Sequence, residues 1–155
     1  MTGSKKVIGV LNGLLKSEFT AIHQYTAEAR FFRNVNYDRL ADYEMDRAKE
    51  EMHHLKRLES RIYLLGGQPS VGVVGEVDLG RDAGAIIQED EALEVDAVGL
   101  YEASITICED EKDFDTRRLL EEILEDETKH LRRIEALQTQ IAEMGMQNFL
   151  SANVR

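Results

Sequence analysis

The chain has 155 residues, one proline, no tryptophan and a formal net charge of −11, from 30 acidic and 19 basic residues. This length suits a single domain, and the abundance of strong helix formers predicts helix over most of it. The acidic excess argues against partners such as nucleic acid or an anionic membrane surface, and it suits a protein that handles cations. The lone Cys108 excludes an intrachain disulfide and a cysteine-based metal cluster, and it fits the reducing cytoplasm.

Apolar residues recur at helical spacing along four long segments. They predict helices over approximately 5–34, 36–65, 82–111 and 114–144, followed by a short helix over 146–153. The glycine-rich segment 66–81 is the one long connection, with a short extended piece expected at 71–77. Four long helices with short, long and short connections predict an all-α fold, a four-helix bundle with one long crossover. We expect residues 1–155 to form one domain without a signal peptide or membrane helix.

A pattern of four residues occurs twice in the chain, and the two copies are offset by 76 residues. In each copy a glutamate is followed seven residues later by a tyrosine and 33 residues later by a second glutamate, which precedes a histidine by three residues. Two of the four histidines in the chain fall on this repeat, so coincidence is a poor explanation. The two copies are Glu18, Tyr25, Glu51 and His54, then Glu94, Tyr101, Glu127 and His130.

The repeated glutamates and histidines occupy positions that a helical bundle buries. In both copies the second glutamate and the histidine lie one turn apart on the same helix face. Glu18 and Glu94 fall where the apolar seams of the first and third helices require apolar residues. Four buried carboxylates must be neutralised by protons or cations, and two divalent ions balance their charge.

Two single glutamates and two Glu-x-x-His pairs form the ligand set of di-iron and di-manganese carboxylate bundles. Nitrogen and carboxylate ligands without thiolate suit iron or manganese, with zinc as an alternative occupant. Glu51 and Glu127, beside the histidines, are predicted to bridge the two ions, and Glu18 and Glu94 to be terminal ligands. The alternative, a solvated glutamate-rich face with core histidines, suits a single Glu-x-x-His better than a duplicated set.

The two tyrosines of the repeat lie two turns along from their glutamates on nearly the same helix face. Tyr25 and Tyr101 are therefore predicted to hydrogen-bond the metal ligands from outside the ligand set. The alternative for each is a core aromatic residue whose hydroxyl is satisfied elsewhere.

Longer stretches of the sequence carry a family resemblance. They are V-I-G-V-L-N-G-L-L-K-S-E-F-T-A-I-H-Q-Y, E-E-M-H-H, E-A-L-E-V-D, R-R-L-L-E-E-I-L-E-D-E-T-K-H and G-M-Q-N-F-L. With these stretches the chain resembles the bacterioferritins over essentially its full length. The resemblance implies a ferritin-like four-helix bundle with a short fifth C-terminal helix. It also implies that the six repeated Glu and His side chains form a di-iron ferroxidase centre, which binds Fe(II) and reacts it with O2 or H2O2.

The resemblance implies an assembly as well as a reaction. It implies a cytoplasmic homo-oligomer, a 24-subunit shell built from haem-bridged dimers that stores ferric mineral, with a ferredoxin as electron donor for iron release. Met52 is rotated away from the Glu51 and His54 face, and the resemblance makes it the axial ligand of haem b at the dimer two-fold. The alternative for Met52 is packing in a dimer interface without haem.

Some positions depart from the pattern of the family. Asp46 and Glu50 stand where members often have a His and an Asp that face the cavity, which predicts an accessory iron site in altered form. Glu28 stands where the family commonly has His, and Arg133 where an aromatic residue is often found. Two other functions stay open at this point: a di-iron peroxide-scavenging or oxygenase relative, and a haem-carrying shell with a slow centre.

Overall fold

Four long helices dominate the fold. A computed structural model describes residues 2–70, 72, 75–77 and 79–155 of the chain. Within these residues the regular elements are α1 (Lys5–Asn34), α2 (Asp38–Leu64), α3 (Ala83–Asp110), α4 (Phe114–Met144) and α5 (Met146–Ala152). The main packing pairs are α1 with α2 and α3 with α4, while α1 also contacts α3 and α5 contacts α4. The predicted all-α four-helix bundle with a short fifth helix is therefore confirmed. The assignment of residues 1–155 to one domain stays a prediction.

The long connection between α2 and α3 follows the surface of α1. The Asn12 side chain donates to the carbonyl of Gln68 and accepts from the backbone N–H of Ser70, and the Thr20 hydroxyl accepts from the N–H of Gly75. The extended piece predicted at 71–77 falls partly on residues 71, 73 and 74, which lie outside the described residues. The described residues among them, 72 and 75–77, have no regular structure.

Side-chain caps and left-handed residues set the ends of the helices. Ser4, Asp82 and Asp113 accept hydrogen bonds from backbone N–H groups in the first turns of α1, α3 and α4. Between α1 and α2 the chain turns at Asn36, whose φ of 64° is in the left-handed region that Asn tolerates better than most residues. Two antiparallel hairpins, α1–α2 and α3–α4, result.

The core alternates between apolar and acidic layers along the bundle. The Leu11 cluster fills one end, the Phe32 cluster fills the other, and the small Tyr25 cluster lies between them. On α1, for example, Glu18 separates the Leu11 cluster from Tyr25, and Glu28 separates Tyr25 from Phe32. The buried members that define these clusters include Leu11, Leu14, Leu58 and Leu120; Phe32, Leu40, Ile86 and Ile134; and Ala21, Tyr25 and Ala48.

None of the helices in the described part of the chain combines the length and the low charge needed to cross a lipid bilayer.

Asp113 anchors the start of α4, and its loss is expected to destabilise the bundle. Its carboxylate accepts from the backbone N–H of Thr116 at 3.0 Å, from the Thr116 hydroxyl at 2.7 Å and from Arg61 at 2.9 Å. Because Asp113→Ala removes the cap and the ion pair together, we expect the free energy of unfolding to fall by about 1–2 kcal/mol in denaturant titrations. Asp115→Ala is the matched control, since the exposed Asp115 forms an ion pair with the exposed Arg118.

The effect of Asp113→Ala should depend on pH in a defined direction. Burial acts to raise the pKa of Asp113, but the contacts with Thr116 and Arg61 outweigh it and lower the pKa below 3.8. A lowered folded-state pKa stabilises the fold above the unfolded value and ceases to do so as pH falls through the folded value. The difference between the variant and the unaltered chain is therefore full at pH 7 and shrinks below about pH 3.8. A difference that stays constant down to pH 2 would contradict this role.

Candidate metal centre

Six buried side chains converge in the middle of the bundle, between the Leu11 cluster and the Tyr25 cluster. One comes from α1, one from α3, and two each from α2 and α4. All six are at most 3% exposed. They are the residues singled out by the repeat: Glu18, Glu51, His54, Glu94, Glu127 and His130.

The six side chains form two overlapping groups of four. In each group, one potential ligand atom from every residue lies within 4.8 Å of the others. The first group is Glu18, Glu51, His54 and Glu127, and the second is Glu51, Glu94, Glu127 and His130. Two carboxylates, Glu51 and Glu127, belong to both groups, so the arrangement can hold two cations side by side with two shared ligands.

The shared carboxylates each turn one oxygen toward each histidine. Glu51 places Oε2 2.9 Å from Nδ1 of His54 and Oε1 3.1 Å from Nδ1 of His130. Glu127 places Oε1 2.9 Å from Nδ1 of His54 and Oε2 3.5 Å from Nδ1 of His130. Each histidine therefore marks one half of the site, and both carboxylates span the two halves.

The remaining two glutamates each belong to one half of the site. Glu18 Oε1 lies 3.8 Å from Nδ1 of His54, and Glu94 Oε1 lies 3.6 Å from Nδ1 of His130. Each also accepts a hydrogen bond from a buried tyrosine: Tyr101 donates to Glu18 and Tyr25 donates to Glu94. The tyrosine in each copy of the repeat thus supports the glutamate of the other copy, across the α1–α3 contact.

Two further acidic residues contact the far side of the histidine rings. Nε2 of His54 lies 3.2 Å from Asp126, and Nε2 of His130 contacts Glu50. A carboxylate on the second nitrogen fixes the ring orientation of a metal-binding histidine. Asp126 has no place among the site residues predicted from sequence, yet Glu50 and Asp126 are also offset by 76 residues. The sequence signal for these two contacts is an acidic residue directly before Glu51 and directly before Glu127.

Several ligand atoms in the site have no hydrogen-bond partner. Among the described residues, Glu51 Oε1, Glu94 Oε2, Glu127 Oε1 and Nδ1 of His130 are buried without one. Glu51 Oε1 and Nδ1 of His130 are 3.1 Å apart, yet none of the four atoms takes part in a well-aligned hydrogen bond. Buried polar atoms are otherwise almost always paired, so this concentration of unpaired ligand atoms indicates a cation site.

Burial and charge together hold protons in the site of the metal-free chain. Burial, followed by the charges of Glu51 and Glu127, raises the pKa of Glu18 well above its ordinary value. Burial raises the pKa of Glu94 to about 7, against the opposing contact with His130. These two carboxyl groups therefore retain protons at pH values where an exposed glutamate is ionised.

The histidines hold protons even more firmly. Burial acts to lower the pKa of both rings, but the carboxylates around them outweigh it, so the pKa rises to about 10 for His54 and about 12 for His130. For Glu51, burial acts to raise the pKa, but its contacts with His130 and His54 hold it at about 2. Positive charge is therefore favoured between the shared carboxylates, and a cation that binds there replaces protons.

The other residues predicted from sequence lie outside the six-residue site. Met52 is 38% exposed on the outer face of α2. Asp46 pairs with Lys49 at 3.2 Å, while Glu50 pairs with Arg47 at 2.9 Å in addition to its contact with His130. Among the described residues, neither Asp46 nor Glu50 joins a group of three or more closely spaced ligand atoms. The accessory iron site at these two positions stays a prediction.

Comparison with known proteins places the chain in a family. Residues 8–144 match the family model of the ferritin-like domain. The match covers all four long helices with the exception of the first turn of α1. The ferritin-like character of the predicted bundle is therefore confirmed.

Individual relatives assign the chain to a more specific group within this family. The bacterioferritin of Brucella melitensis biotype 1 is 32% identical, covering 99% of this chain and 95% of the relative. The bacterioferritin of Mycobacterium leprae is 32% identical over 94% of this chain and 89% of its own length. That of Streptomyces coelicolor is 30% identical, with coverage of 97% and 90%. The resemblance seen in the sequence is thereby confirmed: the chain belongs to the bacterioferritin family of ferritin-like proteins.

Proposed function

We propose that the chain is an iron-storage ferroxidase that binds two Fe(II) ions and oxidises them with O2 or H2O2. The observation that carries this proposal is the pair of shared carboxylates, since Glu51 and Glu127 each turn one oxygen toward each histidine. The residues proposed to bind and position the two ions are Glu18, Glu51, His54, Glu94, Glu127 and His130.

The side chains of the site supply charge balance and position. Four carboxylates offset the four positive charges of two Fe(II) ions, and the protons held on the metal-free ligands leave as the ions bind. Tyr101 and Tyr25 hold the carboxylates of Glu18 and Glu94 in place by hydrogen bonds. Asp126 and Glu50 act in the same way on the two histidines.

The reaction needs two electrons, and two adjacent Fe(II) ions provide them. Each ion gives up one electron and becomes Fe(III). Two electrons and two protons convert H2O2 to two waters, or O2 to H2O2. A site that holds two ions side by side therefore delivers both electrons to one oxidant molecule.

A fast ferroxidase phase is the test of this proposal. Anaerobic Fe(II) is added in steps to metal-free protein, the oxidant is mixed in, and the ferric absorbance is followed by stopped flow. We expect a fast phase whose amplitude saturates at two Fe(II) per chain with at least one of the two oxidants. The absence of any fast phase, or an amplitude that saturates at one Fe(II) per chain, would contradict the proposal.

We also propose that the chain assembles into a 24-subunit homo-oligomeric shell in the cytoplasm, where ferric mineral is stored. Membership of the bacterioferritin family supports the shell. So do large apolar residues left on the surface of the isolated chain, such as Tyr63, Leu64 and Phe114, which are 65%, 73% and 54% exposed. The solution mass should be about 24 times the 17.6 kDa of one chain. A ferredoxin that donates electrons for iron release stays a prediction.

Met52 lies in a surface groove suited to haem b. The groove has a volume of about 340 Å³, and its lining residues are Ile22, Thr26, Met45, Ala48, Lys49, Met52 and Lys56. Its apolar wall suits a porphyrin face, and the lysines suit the haem propionates. We propose that the Met52 thioether would hold the iron of a haem at a dimer interface, and that the haem would supply one-electron chemistry there.

The haem proposal has a matched pair of variants. Met52→Leu should abolish the Soret band of protein supplied with haem, because leucine keeps the apolar volume and lacks the sulfur ligand. Met45→Leu changes a methionine of the same groove and should keep the band. Equal spectra for the two variants would overturn the proposal that Met52 holds the haem iron.

A further inference from the structure

A second cluster of buried acids lies one helical turn from the six-residue site, on the side of the Phe32 cluster. It contains Glu28 from α1, Glu44 from α2 and Asp90 from α3, each only 1% exposed. One carboxylate oxygen from each lies within 4.8 Å of the other two. None of the three belongs to the repeat, so the cluster has no part in the ferroxidase centre proposed above.

The carboxylates of this cluster lack the partners that buried acids normally have. Within the part of the chain that the structure describes, both oxygens of Glu28 and Oε2 of Glu44 are buried without a well-aligned hydrogen bond. Among the described residues, the well-aligned hydrogen bond that reaches the cluster from outside runs from Gln24 to Oδ1 of Asp90 at 3.2 Å, and the carboxyl groups of Glu28 and Glu44 each contact that of Asp90. Throughout the described residues, no lysine, arginine or histidine forms an ion pair with any of these acids. The neighbouring cation, Arg47, pairs with Glu50 instead.

Three unpaired acids in an apolar core need a counter-charge. Replacing buried charges with apolar residues is often stabilising, so a cluster of acids without cationic partners is costly to keep. In the metal-free chain protons serve this purpose: burial, followed by the charge of Asp90, raises the pKa of Glu28 to about 11, and burial raises that of Asp90 to about 6. A divalent cation would satisfy the unpaired oxygens as well as the charge.

We propose that Glu28, Glu44 and Asp90 bind a third divalent cation in each chain. All ligand atoms are carboxylate oxygens, which suits a hard ion such as Mn²⁺, Mg²⁺ or Ca²⁺ and disfavours ions that seek nitrogen or sulfur. The ion adds two positive charges against three carboxylates. Burial raises the pKa of Glu44, and the positive charge of the nearby Arg47 acts in the opposite direction.

The third site lies on helices that also carry residues of the ferroxidase centre. Asp90 precedes Glu94 by one turn on α3, and Tyr25, which donates to Glu94, precedes Glu28 by less than one turn on α1. The two sites thus share three helices, α1, α2 and α3, without sharing a ligand. Each can therefore be emptied by substitution without removing a ligand from the other.

The test counts Mn²⁺ bound by metal-free protein. Equilibrium dialysis against MnCl2 in moderate salt is carried out on the unaltered chain, on Glu28→Gln and on Glu102→Gln. Glutamine keeps the shape of Glu28 and removes its charge. Glu102→Gln is the matched control, because it makes the same change at an exposed position of α3. We expect Glu28→Gln to bind one Mn²⁺ fewer per chain than the control.

A second substitution in the cluster and one substitution in the ferroxidase centre complete the dialysis experiment. Glu44→Gln should lose the same single ion, and circular dichroism confirms that each variant is folded. Equal Mn²⁺ counts for Glu28→Gln, Glu44→Gln and the control would overturn the third site. Glu127→Gln in the same dialysis reports on the ferroxidase centre separately, so failure of one proposal is distinguishable from failure of the other.

Discussion

Glu127→Gln is expected to abolish the fast phase of Fe(II) oxidation. Glu127 contributes one oxygen to each half of the site, and glutamine replaces one of these oxygens with an NH2 group that repels a cation. Loss of a group that merely orients a ligand costs about 10–100-fold in metal affinity or activity. Loss of a shared ligand should therefore lower the rate at least about 100-fold, measured by stopped flow after anaerobic loading with two Fe(II) per chain.

The control for this experiment lies on the same helix. Glu125→Gln makes the same chemical change two residues away, at an exposed side chain that pairs with Lys129. It should retain the fast phase within about twofold, as expected for a surface substitution of small effect. If Glu127→Gln oxidised Fe(II) as fast as Glu125→Gln, the shared-carboxylate assignment would be wrong.

Divalent metal should raise the thermal stability of the chain by a large amount. A ligand that binds only the folded state at 100 times its Kd stabilises by about 2.7 kcal/mol per site. The two sites of the ferroxidase centre therefore give about 5 kcal/mol, and the third site proposed above brings the total to about 8 kcal/mol. Each kcal/mol raises the melting temperature of a chain of this size by about 2–4 °C. We expect Mn²⁺ to raise the melting temperature by about 15–30 °C in calorimetry, and EDTA to reverse the rise.

The variants used for kinetics also test this stabilisation. Glu127→Gln also removes a carboxylate partner of both histidines, so its response to Mn²⁺ is measured against the melting temperature of the same variant without metal. Its response to Mn²⁺ should shrink by more than half, because both shared positions are affected, whereas Glu125→Gln should respond in full. An undiminished response in Glu127→Gln would place the stabilising ions elsewhere in the molecule.

The helices and the six central residues could be predicted from the sequence for a physical reason. Histidine is rare in this chain, so two Glu-x-x-His pairs at a fixed offset stand out from the abundant acidic residues. Glu18 and Glu94 stand out in turn because they lie in apolar seams and also recur at the same 76-residue offset. The structure brings all six together.

Other features of the site depend on which helices touch, and sequence spacing does not reveal this. Tyr25 supports Glu94 on another helix rather than the glutamate of its own copy of the repeat. Asp126 lies at the 76-residue offset from Glu50, but the sequence does not show that it reaches His54 across the α2–α4 interface rather than the histidine of its own copy. Such pairings become visible only once the helices are packed.

The second acidic cluster shows a different limit of prediction from sequence. Glu28, Glu44 and Asp90 supply one acid from each of three helices and include no histidine. Each interrupts an apolar seam, as Glu18 does, but none has a counterpart at the 76-residue offset. An acidic residue in an apolar seam was therefore the only sequence indication of this cluster. Without a repeat, that indication does not distinguish a ligand from any other buried acid.

The position of iron in the site is the most direct test of the ferroxidase centre. Crystals loaded anaerobically with Fe(II) are measured at the iron absorption edge, where anomalous differences locate each ion. We expect two peaks among the six residues, one beside Nδ1 of His54 and one beside Nδ1 of His130, with Glu51 and Glu127 contacting both. A single peak, or two ions that do not share these carboxylates, would contradict a paired ferroxidase centre.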